Sequence, residues 1–231
     1  MKKRTFLLLI CSVSMTVAEA AEPSHTTDFN ATENPISEGA VWNHNGLDWT
    51  KVATSNGIAY GTQTGTGGYD DSYAYLSGFP ADHSAVAKIF RAPNIDSSCT
   101  HEVEILLRWS DSAHSAQGYE CNISFDGGYA QIVRWNGAIG NFTVLGGGSF
   151  PALKDGDLFK ATVVGNRIAI YVNDTKVAEV TDSTFQSGNP GMGFFRRECG
   201  KGSDFGFTSF TATSGSSTSV RPNPPTDVRA E

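Results

Sequence analysis

Helical patterning is what this 231-residue chain most plainly lacks. Its apolar residues recur at every second position, and no stripe at three- and four-residue spacing marks one face of a helix, so a helical bundle is excluded. Long apolar runs are also scarce. The one near the start, Phe6 to Val17, is too short to cross a membrane, and no second stretch is long enough. Positive charge is in deficit, with 17 Lys and Arg against 24 Asp and Glu. An acidic chain is a poor partner for nucleic acid or an anionic membrane surface. Cysteine numbers four and histidine five. No CxxC spacing occurs and the histidines are scattered, so a zinc site is not expected.

What the chain does have begins with a leader. Lys2, Lys3 and Arg4 precede the apolar run, and Ala18-Glu19-Ala20 supplies small residues for cleavage. Residues 1–20 therefore read as a secretory signal peptide of bacterial type, which places the protein outside the cell or in the periplasm. A lipid anchor at Cys11 is disfavoured, because Ile10 precedes it and the cysteine lies inside the apolar run. Removing the leader takes away three bases and one acid and leaves a net charge of −9. Cys99, Cys121 and Cys199 remain, enough for one bridge and one free thiol. Cys121 falls on the apolar side of a strand, which leaves Cys99, at a strand start, to pair with Cys199 in a Gly-rich loop.

Residues 21–213 read as one all-β domain of short antiparallel strands, a two-sheet sandwich or barrel. A first short strand is expected at Asp28-Phe29, and Asn56-Gly57 is a hairpin signal. The central segment Cys99 to Gly137 reads as three strands. In the first, Val103, Ile105, Leu107 and Trp109 should face the core, with Glu102, Glu104, Leu106 and Arg108 opposite them. In the second, Tyr119, Cys121, Ile123 and Phe125 face inward, with Glu120 and Asn122 outward. The third strand adds either Arg134 or the set Gln131 and Trp135, depending on register. Residues 214–231 carry Pro222, Pro224 and Pro225 among few apolar residues and read as a linker.

The segment from Ile168 to Ala212 resembles the second half of a concanavalin A-like, LamG-like jelly roll. Ile168 to Val177 matches its strand–turn–strand, Gly188 to Phe195 its glycine-led strand, and Phe207 to Ala212 its closing strand. Asp174 stands where that family often has glycine, a change a tight turn accepts. Asn223 to Val228 likewise resembles the opening of a fibronectin type III module, so further domains of a longer chain are candidate partners, and a bare spacer is an equal reading.

The jelly-roll resemblance implies a polysaccharide or glycan as ligand. Glu104, Arg108, Glu120 and Asn122, joined by Gln131 and Trp135 or by Arg134, would bind it, since planar polar groups beside a ring suit hydroxyls and C–H faces. The plainer reading is that these charges pair across strands and keep an exposed sheet soluble. A non-catalytic binding module is the preferred function. The enzymatic alternative is a glycoside hydrolase or polysaccharide lyase using Glu104 and Glu120, with Tyr119, Arg108 or Arg134 assisting. Against it, HEVEILLRW carries Leu107 where the E-x-D-x-x-E strand of related glucanases has its last acid, and the R-x-E-x-R strand of jelly-roll alginate lyases is absent. A structural or adhesion module is the third reading. No cofactor is expected. Asp70 with Asp71, and Asp28 with Asp204, are candidate ligands for a structural calcium, although adjacent loop acids are ordinarily solvated turn residues.

Overall fold

The computed structural model describes residues 22–197 and 199–215. The expected leader, and the expected linker beyond residue 215, lie outside them. Among the described residues fourteen strands, numbered in chain order, form two sheets. The first sheet runs β12 (Thr175–Thr181), β11 (Arg167–Val172), β10 (Leu158–Val164), β5 (His83–Arg91) and β14 (Phe205–Ser214). On the other edge of β14 lie β1 (Ser24–Thr27) and β3 (Ile58–Gly61), followed by β2 (Thr50–Ser55). The second sheet runs β4 (Ser72–Tyr75), β13 (Asn189–Arg197), β6 (Thr100–Ser112), β7 (Ser115–Ser124), β8 (Ala130–Gly137) and β9 (Phe142–Gly148). Strand β2 links the two by a short parallel pairing with β4, and every other pairing is antiparallel. Among the described residues the one helical element is a single 3-10 turn, Gly202–Asp204.

Alternation explains the layering. Val103, Ile105 and Leu107 of β6 and Tyr119, Cys121 and Ile123 of β7 meet Phe159, Ile168, Ile170, Phe207 and Phe210 of the first sheet in one core. Each such side chain removed from water contributes about 1.5–3 kcal/mol. Two hairpins have the turn chemistry their strands need. Asn56-Gly57 and Asn173-Asp174 both hold two successive positive φ angles, as the tight turn matched to strand twist requires. The disulfide forms as expected, joining Cys99 to Cys199, while Cys121 stays reduced and buried. Burial pushes the Cys121 thiol well up, so it behaves as a small apolar core group.

The first strand differs from expectation. It covers Ser24–Thr27, and Asp28-Phe29 lies beyond its end. The Phe29 amide donates to Thr27 Oγ1, and a positive φ of 53° then drops the Phe29 ring into the core.

Candidate functional site

The outer face of the second sheet carries its unusual chemistry. Strand register builds two rows across it. One runs Gly193, Glu104, Asn122 and Gln131; the next runs Gly191, Leu106, Glu120 and Val133. Asp71 precedes β4 on this side, followed by Tyr73 and Tyr75. The two glycines make the arrangement possible. A Cβ on Gly193 would sit 2.1 Å from Glu104 Oε2, and one on Gly191 would sit 2.6 Å from the Ala74 carbonyl oxygen.

Aromatic rings divide this face into a sealed end and an open end. Trp49 meets Trp135 at 5.8 Å and Tyr73 meets Trp109 at 5.4 Å between centroids. Together with Leu106 they close over Glu104, which is 1% exposed. From Trp135 the ring contacts continue to Phe142 and then to Tyr69, which is 49% exposed. Beside that wall opens a cleft of about 220 Å³ whose floor and sides include Asp71, Glu102, Glu120, Asn122, Tyr129 and Gln131, with Arg197 at one side.

The floor concentrates acid. Asp71, Glu104 and Glu120 each bring a carboxylate oxygen to within 4.8 Å of the others. Desolvation, with mutual repulsion added, holds the Asp71 and Glu104 carboxyls well above the usual range. Glu120 is pushed up to about 7, first by burial and then by Glu102. Hydrogen bonds temper that shift: Trp135 Nε1 donates to Glu120 Oε2 at 2.5 Å and Asn122 Nδ2 to Glu120 Oε1 at 2.6 Å. Glu102 is raised by burial and moderated by the Tyr129 hydroxyl that donates to it and by Arg197. Two acceptors, Glu104 Oε1 and Asn122 Oδ1, are buried without a partner, as are the indole N–H groups of Trp49 and Trp109 at the sealed end. Such atoms are costly in a fold unless something meets them.

Glu104, Glu120, Asn122, Gln131 and Trp135 thus share one face, and the register question resolves to the Gln131 and Trp135 set. Glu104 differs in one respect, lying under the ring cluster and not at an open surface. Three residues expected at the site lie elsewhere. Arg108 sits at a bulge where Arg108 and Trp109 together oppose Gly118. Its φ of 49° turns the side chain off the face. There it donates to the carbonyls of Ala81, Phe185 and Gly165 and pairs with Asp82. The same bulge moves Trp109 from the expected core side to the outer face. Tyr119 points into the inter-sheet core and donates to Asp182 Oδ1 at 2.7 Å. Arg134 also bonds Asp182, at 2.5 Å.

Asp71, Tyr69, Tyr129 and Phe142 belong to the cleft but were not singled out for it by sequence. Of the four candidate calcium ligands, Asp71 alone joins a group of converging acids among the described residues.

No sequence family and no curated protein matches the chain. Its architecture does match solved structures. The carbohydrate-binding module CBM66 from Bacillus subtilis is 16% identical with a TM-score of 0.53, covering 78% of this chain and 96% of that one. The carbohydrate recognition domain of Emp46p, in a potassium-bound form, is 12% identical with a TM-score of 0.54, covering 81% and 94%. The kappa-carrageenase from Pseudoalteromonas carrageenovora, solved with a carrageenan oligosaccharide, is 11% identical with a TM-score of 0.53, covering 88% and 99%. The chain has the concanavalin A-like jelly-roll fold.

Proposed function

We propose that this protein is a secreted, non-catalytic glycan-binding module whose ligand lies in the cleft over β6, β7 and β8. The observation that carries the reading is the pairing of an exposed ring, Tyr69, at the end of the Phe142–Trp135 wall with a floor of carboxyl and amide groups. A sugar offers both matching surfaces, a C–H face for the ring and hydroxyls for the planar polar groups. Carbohydrate-binding proteins among the structural matches lend the same reading support.

Hydrolysis is the second reading, and one observation favours it. The Glu120 carboxyl is pushed up to about 7 beside other acids, with oxygens of Asp71 and Glu104 within 4.8 Å, and a pair of neighbouring carboxyls is what glycoside hydrolysis uses. Glu104, however, lies sealed under the rings, so the pair cannot flank a bond in the cleft. A panel of polysaccharides, scored for retention and for released reducing ends together, separates the two. The binding reading expects retention without products, weakened by Tyr69→Ala while the fold is kept. Product release abolished by Glu120→Gln would replace it with the enzymatic one.

A further inference from the structure

We propose that the cleft selects sugars bearing a free ammonium group, and that Asp71 and Glu120 receive it. This rests on the glycan-binding reading and adds the charge of the ligand.

The argument is an accounting of donors and acceptors on the cleft floor. The donors that reach its acids are already committed: Asn122 Nδ2 to Glu120 and Glu102, the Tyr129 hydroxyl to Glu102, and the Trp135 indole to Glu120. On the cleft floor itself the orphaned group is an acceptor, Asn122 Oδ1, with Glu104 Oε1 just beneath; the unpartnered indole N–H groups of Trp49 and Trp109 belong to the sealed end and do not line the cleft. Charge is unbalanced in the same sense. Asp71, Glu102 and Glu120 line the cleft and Glu104 backs it, while Arg197 is the one base among the described lining residues. Every influence acting on the Asp71 carboxyl, from burial to its acidic neighbours, opposes its ionisation. A ligand suited to this floor must bring donors and positive charge. An ammonium brings three donors and a full charge, and bonds to ionised partners are the strong ones. A hydroxyl meets the geometry without the charge, and a uronate or sulfate adds repulsion to a desolvated acid cluster.

The test uses oligomers of one length and one β-1,4 linkage that differ only at C2: glucosamine, N-acetylglucosamine and glucose, with alginate as the anionic arm. Affinities are measured by calorimetry at pH 6.5, with and without EDTA. The glucosamine oligomer should bind at least tenfold more tightly than the other two. Glu120→Gln and Asp71→Asn, checked for folding by circular dichroism, should shrink that margin to under threefold. The exposed, distant Glu179→Gln should leave it intact. Comparable binding of the neutral or acetylated oligomers, or binding of alginate, overturns the ammonium assignment and leaves the glycan reading standing. A margin that survives both cleft substitutions, or that depends on a metal removed by EDTA, overturns it too. Failure of every sugar here and of the wider polysaccharide panel removes both proposals.

Discussion

Glu120 should contribute stability at mildly acidic pH that is lost toward neutrality, and comparison with a variant lacking its carboxyl makes that contribution measurable. Its carboxyl is ordinary in the unfolded chain, near 4.5, and about 7 when folded. Between those values the folded state holds a proton that the unfolded state has released. Stability therefore falls as pH rises through this window and is flat, from this group, on either side. At about 1.4 kcal/mol per tenfold change in proton affinity, the loss from pH 4.5 to 7 and above is about 3 kcal/mol. Glu120→Gln removes the titration. Gln keeps one acceptor for a neighbouring donor, and turning the Asn122 amide over offers its unpartnered carbonyl to the new NH₂. Urea unfolding at half-unit steps from pH 4.5 to 8.5 reads the difference between variant and wild type. Distant groups, including the buried His83 held near 4, titrate in both and cancel, while Asp71 and Glu104 lose the repulsion of Glu120 in the variant, so the difference reads the acid cluster as a unit. With a urea dependence of about 2–3 kcal/mol per molar, the variant's midpoint should gain about 1 M on the wild type between the ends of the range. Parallel pH profiles would refute the reasoning, because they would mean the carboxyl is not desolvated in the folded state.

Arg108→Ala should cost about 3–5 kcal/mol, read by thermal or urea unfolding, because it strips the partner from three loop carbonyls and Asp82 at once. Arg108→Lys should recover little of that, since an ammonium cannot reproduce the planar fork. Opening the bridge with Cys99→Ser and Cys199→Ser frees a loop spanning 100 residues of sequence, so the unfolding free energy should drop by up to about 4.7 kcal/mol. Gly193→Ala should destabilise and distort the acid cluster together, because its Cβ needs the space of Glu104 Oε2. Lost glycan retention by a folded Gly193→Ala variant, with cell-free near-ultraviolet dichroism reporting the ring cluster, checks it.

Strand positions and layering were legible because the code behind them is local. Period-two alternation in Val103 to Leu107 and in Tyr119 to Phe125 assigns each residue a side, and turn residues at Asn56-Gly57 and Asn173-Asp174 fix where chains reverse. The cysteine pairing followed from the same alternation, which set Cys121 inside. What alternation cannot supply is a change of phase. At Arg108 one extra residue shifts the pattern, and Trp109 and Arg108 exchange the sides that a continuous strand would give them. The trace of that bulge in the sequence is Gly118 on the partner strand, whose Cβ would lie 2.8 Å from the Arg108 carbonyl oxygen. A glycine opposite a strand interior is a bulge signal in general, but it becomes specific only once the pairing is known.

The cleft shows the corresponding limit for sites. Glu104, Glu120 and Asn122 could be placed on one face from their own strands, yet accessibility depended on residues distant in sequence. Trp49 and Tyr73 arrive from the first third of the chain to roof Glu104, while Tyr69 and Phe142 border the part left open. Glycines 191 and 193 decide how deeply those rings and the carboxyl can sink onto the sheet. The bulge at Arg108 contributes the last piece, since it delivers Trp109 to the roof and withdraws the arginine that would otherwise neutralise the acids. One backbone irregularity thus makes the floor both more enclosed and more acidic. The same two properties set the raised Glu120 carboxyl and the expected preference for a cationic sugar, so the stability profile and the binding panel interrogate one physical cause.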